Sequence, residues 1–153
     1  MDSVRQHIRH RRAWRMMTAD EIVAAARECL DTPFRHQGRR IGIGLDCAGV
    51  AIHVAQSIGA ECFDVDGYGT VPANGELERA LDAQPCLQQV EISDRKAGDL
   101  LLMRFAAEPQ HLAIFAGDTI VHAYESVGKC CEHRLSDVWA ARIVRVYRFE
   151  GVE

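Results

Sequence analysis

The apolar positions of this chain keep a helical period through its first half and a strand-like pattern through its second. Thr18 and Glu21 form a capping box, hydroxyl and carboxylate three residues apart, ahead of an apolar run. Ile22, Ala26, Cys29 and Leu30 then recur at helical spacing, and Thr32-Pro33 stops the helix. Residues 33–45, rich in Gly and Arg, read as a loop. A second helix is predicted over 47–58. Asp46 is its N-cap, Val50, Ala51, Val54, Ala55 and Ile58 form its buried face, and Gly59 is its C-terminal stop. A loop through Tyr68 and Pro72 leads to a short helix near 76–83. Strands are then predicted over 88–92, 99–105, 111–115, 120–124 and 142–149, with a weaker one over 129–132. Helices first and a meander-like sheet second define the class as α+β with a mainly antiparallel sheet.

Two segments carry candidate chemistry. Cys47 falls in the first turn of the second helix, after the Gly-rich stretch GIGLDCAG. Unpaired N–H groups and the partial positive charge of a helix start favour thiolate and can hold an oxyanion. Ala48 and Gly49 are small and leave room for a substrate backbone. Asp46 opposes the thiolate, so it is assigned to capping, and a nearby imidazolium is required to outweigh it. Alone, Cys47 also reads as a small buried hydrophobe.

The histidines change that balance. If the hairpin closes through a two-residue loop at Gly117-Asp118, Ala116 stands opposite Thr119, Ala113 opposite His122 and His111 opposite Tyr124. His111 and His122 then lie diagonally on one sheet face, about 7–8 Å apart by backbone. A four-residue loop would set the two histidines directly opposite, and an odd loop without a bulge would separate them. Cys47 as nucleophile, His111 as base and His122 as the group that fixes the tautomer of His111 form a nucleophilic triad. A zinc site built from Cys47, His111 and His122 is set aside, because no second cysteine or carboxylate stands at ligand spacing. His36 can line the cleft from the preceding loop, whereas His7, His10, His53 and His133 read as surface or packing groups. Arg35, Arg39 and Arg40 offer guanidinium groups to substrate carboxylates, or merely solvate their loop.

Composition narrows the classes. The 153 residues fit one domain, read as residues 18–153 behind a basic arm at 1–17 that carries Arg5, Arg9, Arg11, Arg12 and Arg15. A net charge of −4 gives no reason to expect nucleic acid or an anionic membrane as partner. No apolar run approaches transmembrane length, and the start lacks the apolar core of a secretory signal. Six cysteines without a CxxC pair suggest reduced thiols, with no metal and no cofactor expected.

The blocks TPFRHQG, GLDCAG, AGDLLLM and HLAIFAGDTIVHAY, in that order, resemble the NlpC-type cell-wall cysteine peptidases. The resemblance covers roughly residues 18–149 and implies a papain-like core with Cys47 as nucleophile, His111 as base and His122 as third member. It implies hydrolysis of an amide in peptidoglycan stem peptides, between D-γ-glutamyl and a diamino acid. Phe34, Arg35, His36, Asp46, Ala48 and Gly49 are its substrate-binding candidates. The sequence departs from the common pattern at Phe34, His36-Gln37-Gly38 and Ala48. The wording PFRHQ and the ending VWAARIVRVYRF resemble a branch carried by phages, prophages and gene-transfer agents. That branch implies tail proteins as partners and action in the virion tail or periplasm after delivery by the particle. An acyltransferase or amidase on the same scaffold, and a non-catalytic tail component, remain alternatives.

Overall fold

The computed structural model describes residues 17–64, 74–105 and 108–152. The basic arm, apart from Met17, and the loop through Tyr68 and Pro72 lie outside the described residues.

Helix α1 spans Ala19–Arg27, and Thr18 caps it by accepting the Glu21 N–H at 3.2 Å. The loop after it contains a small hairpin that the residue pattern did not predict, β1 (Arg39–Arg40) on β2 (Gly44–Leu45). Helix α2 runs Cys47–Ser57, and Gly59 follows with φ +71°, the left-handed stop expected of it. Helix α3 is Glu76–Asp82. Then come β3 (Leu87–Val90), β4 (Leu100–Phe105), β5 (Glu108–Phe115), β6 (Thr119–Tyr124), β7 (Lys129–Arg134), the short helix α4 (Asp137–Ala140) and β8 (Ile143–Phe149). The predicted end of the first strand runs instead, beyond Val90, into a 3-10 turn at Ile92–Asp94.

The main sheet is antiparallel in every pairing among the described residues, in the order β3-β8-β4-β5-β6-β7. β4 to β7 form the expected meander, and β8 inserts between β3 and β4. Asp99 fixes this crossing. It is buried at the start of β4, accepts the Lys96 N–H at 2.7 Å, and holds Arg148 of β8 through two contacts of 2.9 Å.

Both faces of the sheet are covered. Leu100, Leu102, Leu112, Ile114, Val121 and Ala123 pack beneath α1 and α2, meeting Ile22, Ala26, Val50 and Val54. Leu101, Met103, Ala113, Ile120 and Val146 pack on the opposite face with Leu135 and Trp139. The unbroken apolar run Leu100–Met103 follows from this two-sided burial.

Candidate active site

Cys47 opens α2 because Asp46 caps it. The buried Asp46 carboxylate accepts the N–H of Gly49 at 2.8 Å and of Gln37 at 2.8 Å, and pairs with the Arg39 guanidinium at 2.9 Å. Those bonds tie the helix start to the loop before it. They also place Asp46 in an internal role, not against substrate. Asp46→Ala is expected to remove about 3 kcal/mol of stability, since it deletes a cap and strands a buried cationic partner. Asp46→Asn should cost less, and urea unfolding of the two variants measures the difference.

Gly49 likewise has a packing role. A Cβ there would collide with the Gly38 carbonyl oxygen, so glycine is needed for α2 to sit against the loop. Arg39 pairs with Asp46 at 2.9 Å and with Asp64 at 3.0 Å, and it lines the cavity beside Cys47. Arg35, His36 and Arg40 are exposed on the same loop. Phe34 is half-buried against the core and pairs with Leu45 in an isolated bridge. Ala48 lines an apolar cavity of about 110 Å³ that opens beside Cys47 and continues past Ala51, Leu77, Leu81 and Leu112.

The Cys47 side chain is half-buried and meets the sheet at Leu112, the residue after His111. Burial pushes its thiol up to about 11, and the Asp46 carboxylate adds to this. The backbone N–H groups of Leu112 and Ala48 and the Arg39 guanidinium act the other way. His111 is held well below the usual imidazole range, first by burial and then by the neighbouring His122, Arg142 and His133. Burial therefore works against the charged form of both groups. The imidazolium expected to offset Asp46 has this burial to overcome.

The hairpin register matches the two-residue loop. Ile114 faces Val121, Phe115 faces Ile120, and the Ala116 N–H meets the Thr119 carbonyl at 2.8 Å. His111 Nε2 lies 2.6 Å from His122 Nδ1. The line continues to a residue that the sequence reading left on the surface. His122 Nε2 is 2.8 Å from His133 Nε2, and His133 Nδ1 is 2.9 Å from the Arg134 carbonyl oxygen.

That carbonyl sets the direction of the whole line. A carbonyl only accepts, so His133 Nδ1 carries a proton, and in the neutral ring Nε2 is a lone pair. His122 must then donate from Nε2 and accept at Nδ1. His111 donates from Nε2, which leaves His111 Nδ1 as an acceptor. His122 is fully buried, and burial, with His133 second, holds it down at about 3, so it stays neutral.

Trp139 of α4 closes this face edge-on, 5.3 Å from the His122 ring and 5.4 Å from Tyr124, while Phe105 lies 5.0 Å from His111. Sequence reasoning missed His133 and Trp139. The signal for His133 was its position two residues beyond Cys131 on a strand predicted two residues too short.

A half-buried cysteine at a helix start, laid against an antiparallel sheet that carries a line of imidazoles, defines a papain-like α+β domain. The NlpC/P60 family model matches residues 31–148, and the chain belongs to that family. No curated protein matches it. Among solved structures it is similar to an NlpC/P60 family protein from Bacillus cereus, at 18% identity and TM-score 0.64, over 88% of this chain and 41% of that one. It is also similar to the NlpC/p60 domain of the peptidoglycan hydrolase SagA, at 24% identity and TM-score 0.58, over 85% of this chain and 97% of that one. A third is the peptidoglycan hydrolase RipB from Mycobacterium tuberculosis, at 16% identity and TM-score 0.60, over 88% and 65%. The chain thus spans less than half the length of the Bacillus cereus protein. Among the described residues no helix is long and apolar enough to cross a membrane.

Proposed function

We propose that this chain is a cysteine peptidase that hydrolyses an amide of peptidoglycan stem peptides, between D-γ-glutamyl and a diamino acid. The observation that carries the reading is the imidazole line. Anchored on the Arg134 carbonyl, it presents the acceptor nitrogen of His111 on the strand that the Cys47 side chain meets. Family membership and the peptidoglycan hydrolases among the similar structures supply the substrate class.

In this reading the Cys47 thiol gives its proton to His111 Nδ1 as sulfur attacks the scissile carbonyl. The oxyanion is held by the N–H groups of Cys47 and Ala48 at the helix start, since that of Gly49 is taken by the Asp46 cap. The imidazolium then protonates the leaving amine, and water, deprotonated by the same nitrogen, releases the acid from the thioester. Its positive charge is shared through His122 toward His133. Exposed Arg35 and Arg40 supply guanidinium groups for stem-peptide carboxylates. The site belongs to a single domain over residues 18–153, and the chain acts as part of a phage-type or gene-transfer particle that carries it to the wall.

Mass spectrometry of purified muropeptides after incubation tests the reading. The expected products are a free D-glutamyl γ-carboxylate and a new diamino-acid amine, absent with Cys47→Ala. Release of sugar fragments, or cleavage of casein at a comparable rate, rules it out.

A further inference from the structure

We propose that His122, Cys131 and His133 form an inhibitory site for a borderline-soft divalent metal ion of the zinc class. The sheet builds the cluster. His122 of β6 stands directly opposite Cys131 of β7, and His133 follows two residues along, on the same face. One ligand atom from each residue lies within 4.8 Å of the other two. Two imidazole nitrogens and a thiolate are a zinc-type donor set, with a fourth position left for water. His122 is fully buried, while Cys131 and His133 are half-exposed and give the cluster contact with solvent. The outer ligand is already braced, since His133 Nδ1–H is held by the Arg134 carbonyl, the usual outer support of a metal-bound imidazole.

The ion and the resting line of imidazoles compete for the same nitrogens. At rest His122 Nε2 holds a proton that points at His133 Nε2, 2.8 Å away. A metal needs the lone pairs of both. Neutral His122 can ligate through Nε2 only with its proton on Nδ1, and that N–H then donates to His111 Nε2. His111 must in turn carry its own proton on Nδ1, the atom that takes the proton of Cys47. His111 and His122 each keep one proton on the other nitrogen, and His133 is unchanged. The Cys131 thiol alone loses a proton to solvent. Metal at the far end thus turns the base into a donor without touching Cys47. The binding half of this proposal stands on the geometry alone; the inhibition half rests on the proposed peptidase reading.

Cobalt(II) titration of the full chain reads the site directly. A thiolate-to-cobalt charge-transfer band and the visible bands of a four-coordinate ion are expected in wild type and in Cys47→Ala. Both should be lost, or weakened at least tenfold in affinity, in Cys131→Ser. His133→Asn should lose them too, which covers a serine variant that disturbs β7. Zinc should bleach the cobalt spectrum and inhibit muropeptide hydrolysis. In Cys131→Ser, metal-free hydrolysis should match wild type, and inhibition should need at least tenfold more zinc. A charge-transfer band that persists in Cys131→Ser and vanishes in Cys47→Ala would place the metal on the nucleophile and overturn the proposal. So would no band at all. If the bands behave as expected and no muropeptide is cleaved, the metal site stands and the peptidase reading falls.

Discussion

Muropeptide hydrolysis is expected to fall at least about 10⁴-fold when Cys47 is replaced by alanine, and by a similar factor in His111→Ala. The two effects are not additive, because neither group works without the other. Burial pushes the thiol up to about 11 and holds His111 well below the usual imidazole range, so it disfavours a free thiolate. Attack must coincide with proton transfer to the imidazole. His111→Ala should therefore also slow alkylation of Cys47 by iodoacetamide at neutral pH, a readout that needs no substrate. Cys47 alkylation that is as fast in His111→Ala as in wild type would show that another group activates the sulfur. Thermal unfolding of both variants separates loss of chemistry from loss of fold.

The parts of this molecule that were legible in its sequence are those set by near neighbours. Thr18 and Asp46 are caps because their oxygens serve N–H groups three residues on. The shared face of the two histidines was legible because either even-length loop keeps them together, and the register observed is that of the two-residue loop around Gly117, at φ +103°. What escaped depends on distant pairing or on depth. Nothing in a strand's own pattern says that β8 returns between β3 and β4; the Asp99–Arg148 ion pair that fixes it spans 49 residues of sequence. α4 is four residues long, too short to show a period, yet it delivers Trp139 onto His122. His133 lies one residue past the predicted end of its strand, and its role depends on the β6–β7 register. At Cys47 the local charge was legible, whereas the burial that pushes its thiol up was not. The ion pairs of Arg39 with Asp46 and Asp64, and the close approach of Gly49 to the Gly38 carbonyl, depend on how the loop folds onto α2, which its composition does not show.

The other large expected effect belongs to His122, whose two nitrogens have opposite duties in the metal-free protein. Nδ1 accepts from His111 and Nε2 donates to His133. Alanine removes both, so His111 can turn its proton toward Cys47, and kcat should fall by roughly 10²–10⁴-fold. Asparagine or glutamine keeps an acceptor and a donor in one group, and should hold kcat within about tenfold of wild type. Aspartate also accepts from His111, but it adds a negative charge that favours the imidazolium, so the depressed pKa of His111 rises. The sign follows directly: a base is lost as pH falls through its own pKa. In wild type, burial holds that pKa well below 6.5, so the acid limb of kcat/KM lies below pH 6.5. In His122→Asp the limb should move to higher pH, with activity at pH 5 lost more than activity at pH 8. Full pH profiles of the alanine, asparagine and aspartate variants decide the matter. Equal losses for alanine and asparagine, together with an unmoved limb in aspartate, would mean that His122 packs beside His111 without setting its proton.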